Sequence, residues 1–143
     1  MKNSKPRLLY LFPFLVLIFI IGVLMVIRKG NRSPGQYLYE TRCQNCHQED
    51  GSGLKALIPP LAGSDWLMKN QDTLPCIIRH GLNGPLTVNG VYYNEVMPAN
   101  EKLSPGQIMN IINYINRSWG NDYEKIRLRE VKERLEKCAH EGR

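Results

Sequence analysis

Cys43-Gln44-Asn45-Cys46-His47 decides how the rest of this chain is read. C-x-x-C-H sets two thiols one helical turn apart, so that both can add across the vinyl groups on one edge of a single haem. The histidine that directly follows the second cysteine then lies beneath the iron and can ligate it through a ring nitrogen. Two other uses of a cysteine pair fit less well. A thioredoxin-like redox pair needs a βαβ setting, which the flanking sequence lacks. A zinc site needs a second ligand pair close together, and the remaining cysteines, Cys76 and Cys138, stand far apart in the sequence.

The sequence around the motif suits a large cofactor. Short helical patterns alternate with long irregular stretches, and loops of that length need something to pack against. A short helix is expected from Gln36 to about Cys46. Gly51–Gly63 (GSGLKALIPPLAG) reads as loop, with glycines and a Pro-Pro pair. Ser64 or Asp65 can cap a short helix through WLMKN. Asp72 or Thr73 can cap another, to about Arg79, with Leu74, Ile77 and Ile78 as its apolar face. Gly81 to Asn100 reads as irregular, rich in Gly and Asn, with a short Val-Tyr-Tyr stretch. Ser104 and Pro105 then start a clear helix, whose Ile108, Ile111, Ile112 and Ile115 share one face and which is expected to end near Gly120.

Before Gly30 the composition changes. Leu8–Ile27 reads LLYLFPFLVLIFIIGVLMVI, twenty residues with no charge, or about 30 Å as a helix, matching the hydrocarbon thickness of a bilayer. It is longer than the apolar core of a signal peptide and no A-x-A-like cleavage site follows, so an uncleaved membrane anchor is expected. The formal charge of +6 belongs largely to that anchor, because Lys2, Lys5, Arg7, Arg28 and Lys29 flank it. Without those five, the 19 Lys/Arg fall to 14 against 13 Asp/Glu, which argues against a nucleic-acid partner. Three basic residues precede the run and three (Arg28, Lys29 and Arg32) closely follow it, so charge alone does not orient it.

After Gly120 the chain becomes strongly charged. Leu128, Val131, Leu135 and Cys138 form one apolar stripe at helical spacing, and Glu130–Arg134 and Glu133–Lys137 are spaced as ion pairs. The expectation is a charged amphipathic helix laid against the domain, with a docking helix for a partner subunit as the sharper alternative. Three parts follow: an anchor over 1–29, a haem domain over 30–120 and a charged C-terminal helix over 121–143.

From Gly35 to Trp119 the sequence resembles the class I c-type cytochromes. Gly35, Tyr39 and Tyr114 stand where that family crosses its N- and C-terminal helices. Pro59-Pro60-Leu61 is similar to its P-x-L segment, and Met97-Pro98-Ala99 to the loop that supplies its sixth iron ligand. The GLNG run from Gly81, the VNGVYYNEVMPA run and the closing SWGN resemble small bacterial cytochromes attached to respiratory oxidases and dehydrogenases.

The resemblance implies an all-α, cytochrome c-like fold of short helices around one haem c. It implies covalent attachment at Cys43 and Cys46, axial ligation by His47 and Met97, a Pro59 carbonyl orienting His47, and Leu61 packed on the haem. Met97 is the methionine that lies in a loop beside a proline, whereas Met25, Met68 and Met109 fall in expected helices. His80 is the rival ligand, and His140 is expected to face solvent. Trp66 and Trp119 read as packing residues, and Tyr92 and Tyr93 as candidates to reach a propionate. Cys76 reads either as a small buried hydrophobe or as a partner for Cys138 in an oxidising compartment.

Such iron has no open position, which suits a one-electron carrier and not an enzyme. The implied setting is the bacterial inner membrane, with one pass and the haem domain in the periplasm, and oxidase, reductase or dehydrogenase proteins as redox partners. The alternatives are a haem subunit of an oxidase or reductase complex, and a sensor or peroxidase-like enzyme with a displaceable distal ligand.

Overall fold

A computed structural model of the 143-residue protein describes the backbone of residues 7–30 and 32–141, with side chains for 12–26 and 32–138. The chain divides into two compact units, Met1–Arg32 and Ser33–Arg143.

In the first unit, α1 is a continuous helix over Arg7–Gly30 with Pro13 inside it. Its side chains from Phe12 to Val26 are all exposed. Those fifteen residues cover about 22 Å at helical rise, short of a bilayer core of about 30 Å. Among the described residues, no helix is long and apolar enough to cross a membrane. The side chains of Leu8–Leu11 and Ile27, which the expected 8–27 span needs, lie outside the described residues. The anchor therefore rests on the sequence and not on the structure.

The second unit is built around two helices, α2 (Pro34–Arg42) and α6 (Pro105–Ile115). Ser33 caps α2 by accepting from the Gln36 amide at 3.1 Å, and the helix stops at Cys43. The single helix expected from Gln36 to Cys46 is thus two pieces, since α3 (Gln44–His47) starts anew after Cys43 turns to φ −121°.

In α6, Ser104 accepts from the Gln107 amide and the Gln107 side chain accepts from the Ser104 amide at 2.8 Å, a complete capping box. Ile108, Ile111 and Ile112 are completely buried and Ile115 nearly so. At about 1.5–3 kcal/mol for each buried aliphatic side chain, this face is a main source of cohesion. The helix ends at Ile115, earlier than expected, and turns carry the chain to Gly120. α2 and α6 approach closely at Gly35, where a Cβ would strike the Asn110 carbonyl and lie 2.8 Å from Tyr114 Cβ. Tyr39, Tyr114 and Trp119 close this junction, with ring centroids 5.0–5.7 Å apart.

Between these helices lie α4 (Asp65–Lys69), capped by Ser64, and α5 (Leu74–His80). An antiparallel hairpin follows, β1 (Leu86–Val88) and β2 (Val91–Tyr93), with Leu86 opposite Tyr93. The all-α expectation needs correcting here: the fold is mostly helical with one small sheet. Asn89 and Gly90 both take positive φ (50° and 77°), the two-residue turn whose twist suits a hairpin.

The tail forms α7 (Leu128–Glu141). It lies against α5 and α6 with Val131 wholly buried, and Cys138 is joined to Cys76 of α5 by a disulfide, their Cα atoms 6.1 Å apart. Arg134 reaches the Asp72 carboxylate at 2.7 Å and donates to the Gln71 carbonyl at 3.1 Å. Glu133 pairs with Arg129, and Glu130 accepts from the Arg127 amide. The pairs read from spacing thus give way to a local pairing, a cap and a bond to the domain. The apolar stripe faces the domain at Val131 and Cys138, leaving Leu128 as its exposed member.

Candidate functional site

Local geometry brings the C-x-x-C-H residues together. The amides of Cys46 and His47 both donate to the Cys43 carbonyl, at 3.1 and 2.9 Å, which winds the motif into one helical turn. Cys43 is half-buried and Cys46 exposed. Burial, reinforced by the neighbouring Cys46, pushes the Cys43 thiol up to about 11, so it stays protonated at neutral pH.

His47 is buried, and its Nδ1 lies 3.2 Å from the Pro59 carbonyl oxygen. A carbonyl can only accept, so Nδ1 carries the proton and Nε2 keeps the lone pair. Burial also pulls the imidazolium below its ordinary pKa, opposed by the Pro59 hydrogen bond, so the ring is held neutral. A neutral, oriented imidazole with one free lone pair is what a metal ligand requires.

The chain returns after His47 through a tightly tied loop. The Gly53 amide donates to the His47 carbonyl at 3.1 Å, while the Leu61 and Ala62 amides donate to the Gly51 carbonyl at 2.7 and 3.0 Å. Gly53 has φ +71°, and a Cβ there would strike the Ile58 carbonyl and come within 2.8 Å of Pro59. Only glycine lets the backbone pass this close to the residue that holds His47.

Met97 arrives from the far end of α5. Its amide and carbonyl exchange hydrogen bonds with Leu82 at 2.9 and 3.0 Å, and the Asn100 amide donates to the Ile78 carbonyl at 3.1 Å. A Cβ at Gly81 would strike the Met97 carbonyl. His47 and Met97 line the same cavity, with Cys43, Pro59 and Leu61. It holds about 680 Å³ of space free of protein atoms, its mouth included. Apart from His47, Cys43, Ser64 and the Met97 sulfur, its walls are apolar, supplied by α4, α5, β1 and α6.

Of the residues expected at the site, Cys43, His47, Pro59, Leu61 and Met97 line one apolar cleft, while Cys46 is exposed and does not line it. His80 is exposed and does not line the cleft, so the structure does not bring the rival ligand to it. Met68 is also exposed, and Met109 packs against the core. Trp66 and Trp119 both pack against the core, and Trp66 also lines the cleft. Tyr92 is exposed and Tyr93 buried. The side chain of His140 lies outside the described residues. Sequence reasoning missed Leu82, Leu86 and Val88 as wall residues. The Asn89-Gly90 turn was the signal for the hairpin that presents the last two.

Comparison with known proteins agrees with this geometry. Residues 30–115 match the family model described as cytochrome c oxidase, cbb3-type, subunit III. The chain belongs to the cytochrome c family. Cytochrome c-552 of Thermus thermophilus is 33% identical over 100 residues, covering 67% of this chain and 75% of that protein. The cytochrome c subunit of alcohol dehydrogenase (quinone) from Gluconacetobacter polyoxogenes is 37% identical over 101 residues. That of gluconate 2-dehydrogenase from Pantoea cypripedii is 34% identical over 96. The matches to these two cover only 21% and 22% of the relatives.

As a cytochrome c electron-transfer domain, the protein has haem c as its covalently attached cofactor. The cleft fits that group: the Cys43 thiol, a neutral imidazole and a methionine in its lining, Cys46 in the same helical turn as Cys43 and His47, and otherwise apolar walls.

Proposed function

We propose that the protein is a membrane-anchored one-electron carrier, with haem c joined to Cys43 and Cys46 and ligated axially by His47 and Met97. The observation that carries this reading is the shared cleft, lined by His47, whose Nε2 is left free to ligate, and by Met97, which brings a thioether. Haem c, when bound, supplies a one-electron iron couple. The chain's own residues do the rest. Pro59 fixes the His47 ring, the Leu82–Met97 pairing fixes the backbone that carries the thioether, and Leu61, Leu67, Ile78 and Ile111 exclude water. A dry cleft with two fixed ligands leaves little to rearrange during electron transfer and gives substrate no place to bind.

The apolar Leu8–Ile27 run supports an anchor in the bacterial inner membrane, with the cytochrome domain in the periplasm. Anchoring raises the domain's effective concentration near membrane-bound donors and acceptors. The names of the matched family and relatives support oxidases or dehydrogenases as partners, and also a place as a subunit of such a complex.

Two experiments test this reading. Intact-mass analysis of the matured chain should show one added haem, lost when Cys43 and Cys46 are both replaced by alanine. Cell fractionation should place the full chain in the membrane, and a chain starting at Ser33 behind a cleavable export signal in the soluble periplasm. An unchanged mass in the double variant contradicts the attachment site, and membrane retention of the shortened chain contradicts the anchor.

A further inference from the structure

Asn121 follows the last turn after α6 and is buried, with 7% of its surface exposed. Its carboxamide makes three hydrogen bonds: Oδ1 accepts from the Gly63 amide at 2.9 Å, and Nδ2 donates to the carbonyls of Leu61 and Ile115, both at 3.0 Å. One side chain thus clamps the end of α6 to a loop about sixty residues earlier. That loop carries Pro59, whose carbonyl holds His47 Nδ1. From the other side the same loop is tied to the Gly51 carbonyl, and a Cβ on Gly51 would lie within 2.7 Å of the Trp119 ring. Trp119 in turn donates its indole N–H to the Glu49 carbonyl at 3.0 Å.

We propose that Asn121 is a positioning residue for the proximal ligand, fixing the loop that sets the Pro59–His47 hydrogen bond. This inference rests on the haem-ligand reading above. The physical link is short: the Leu61 carbonyl held by Asn121 is two residues from the Pro59 carbonyl, and Pro59 and Pro60 leave little backbone freedom between them. Freeing Leu61 lets Pro59 move away from Nδ1. A weaker hydrogen bond makes the imidazole a poorer donor, which disfavours ferric iron and raises the midpoint potential.

The test uses the full chain matured with haem, with the variants Asn121→Ala and Asn121→Asp. Asn116→Ala is the control, because Asn116 is also buried but bonds instead to Gln71 and the Glu124 carbonyl. Exchange of the His47 Nδ1 proton is followed by NMR in the ferrous state, and the midpoint potential is measured alongside. Asn121→Ala should speed exchange about tenfold, one hydrogen bond's worth of free energy, and raise the potential. Asn121→Asp keeps the shape and the Gly63 contact but offers the two carbonyls at most one O–H donor, and should speed exchange in the same way even if Asn121→Ala fails to accumulate. The potential is read on Asn121→Ala alone, because a buried carboxylate lowers it by its own charge. Asn116→Ala should lower thermal stability and leave both readouts near wild type. Wild-type values in both Asn121 variants, or an equal shift in Asn116→Ala, overturn the positioning role alone. A wild-type chain without covalent haem overturns the ligand reading and this inference together.

Discussion

The loop that follows His47 and the loop that carries Met97 reach the same cleft, but they are held in different ways. The first is tied repeatedly, by bonds close to His47 and by Asn121 at its far end. Gly51 accepts two amides, Gly53 donates to His47, and Tyr39 donates its hydroxyl to the Gln48 carbonyl at 2.6 Å. The second hangs from α5 by two bonds to Leu82, one to Ile78 and an Arg79 bond to the Glu101 carbonyl. Its support comes from behind, since α5 is fastened to the tail by the Cys76–Cys138 bridge. As the proposed ligands, His47 with its loop tied directly and Met97 supported through a helix should fail differently, the second opening first.

Breaking the bridge should have the largest effect on stability. A disulfide closing a loop of 62 residues contributes about 4 kcal/mol by loop entropy, so Cys76→Ser with Cys138→Ser should lower denaturant stability by roughly that amount. If the distal side depends on this support, ferrous double variant should also bind carbon monoxide faster than wild type. Gly53→Ala comes next. The added methyl meets backbone at the Ile58 carbonyl, in a left-handed conformation, and should cost about 3 kcal/mol in denaturant melts and reduce the yield of matured haem.

Gly81→Ala is the distal counterpart. Because the Met97 loop can move away, we expect a smaller loss of about 1–2 kcal/mol, accompanied by weaker absorption from the methionine-ligated form. A loss equal to that of Gly53→Ala would erase the contrast between the two loops. Tyr39→Phe should show the smallest effect, about 1 kcal/mol from the lost bond to Gln48, with unchanged ligation in the absorption spectrum. The Tyr39 hydroxyl is raised above its ordinary pKa chiefly by burial, so it remains a donor throughout the neutral range.

How much of this was legible in the sequence depended on distance along the chain. Cys43, Cys46 and His47 were readable because the chemistry requires them within one helical turn. The α6 face was readable because four isoleucines repeat at helical spacing over a capped start. Pro59 and Met97 were found through family resemblance, because residues 12 and 50 positions beyond His47 carry no local sign of meeting at one cleft. The break at Cys43 was hidden by helix-compatible residues on both sides, and the hairpin lay in an Asn-Gly pair read only as irregular chain.

Tertiary hydrogen bonding was the least visible layer. Asn113 exchanges two hydrogen bonds with the Ile126 backbone, and Asn116 bonds the Glu124 carbonyl, so together they hold the segment leading into α7. Nothing in an asparagine's immediate neighbours announces a backbone partner that arrives only on folding. The pairing of Cys76 with Cys138 was open for the same reason. A 6.1 Å Cα separation across 62 residues is a property of the fold.

The central claim is that His47 and Met97 are the two axial ligands of one covalently bound haem. The most direct measurement is the absorption spectrum of the matured ferric chain, beside that of Met97→Ala and His80→Ala. The account predicts the weak far-red band of methionine-ligated ferric haem in the wild type and in His80→Ala, and its loss in Met97→Ala alone. A band that survives Met97→Ala, or a wild-type chain without it, would contradict the account.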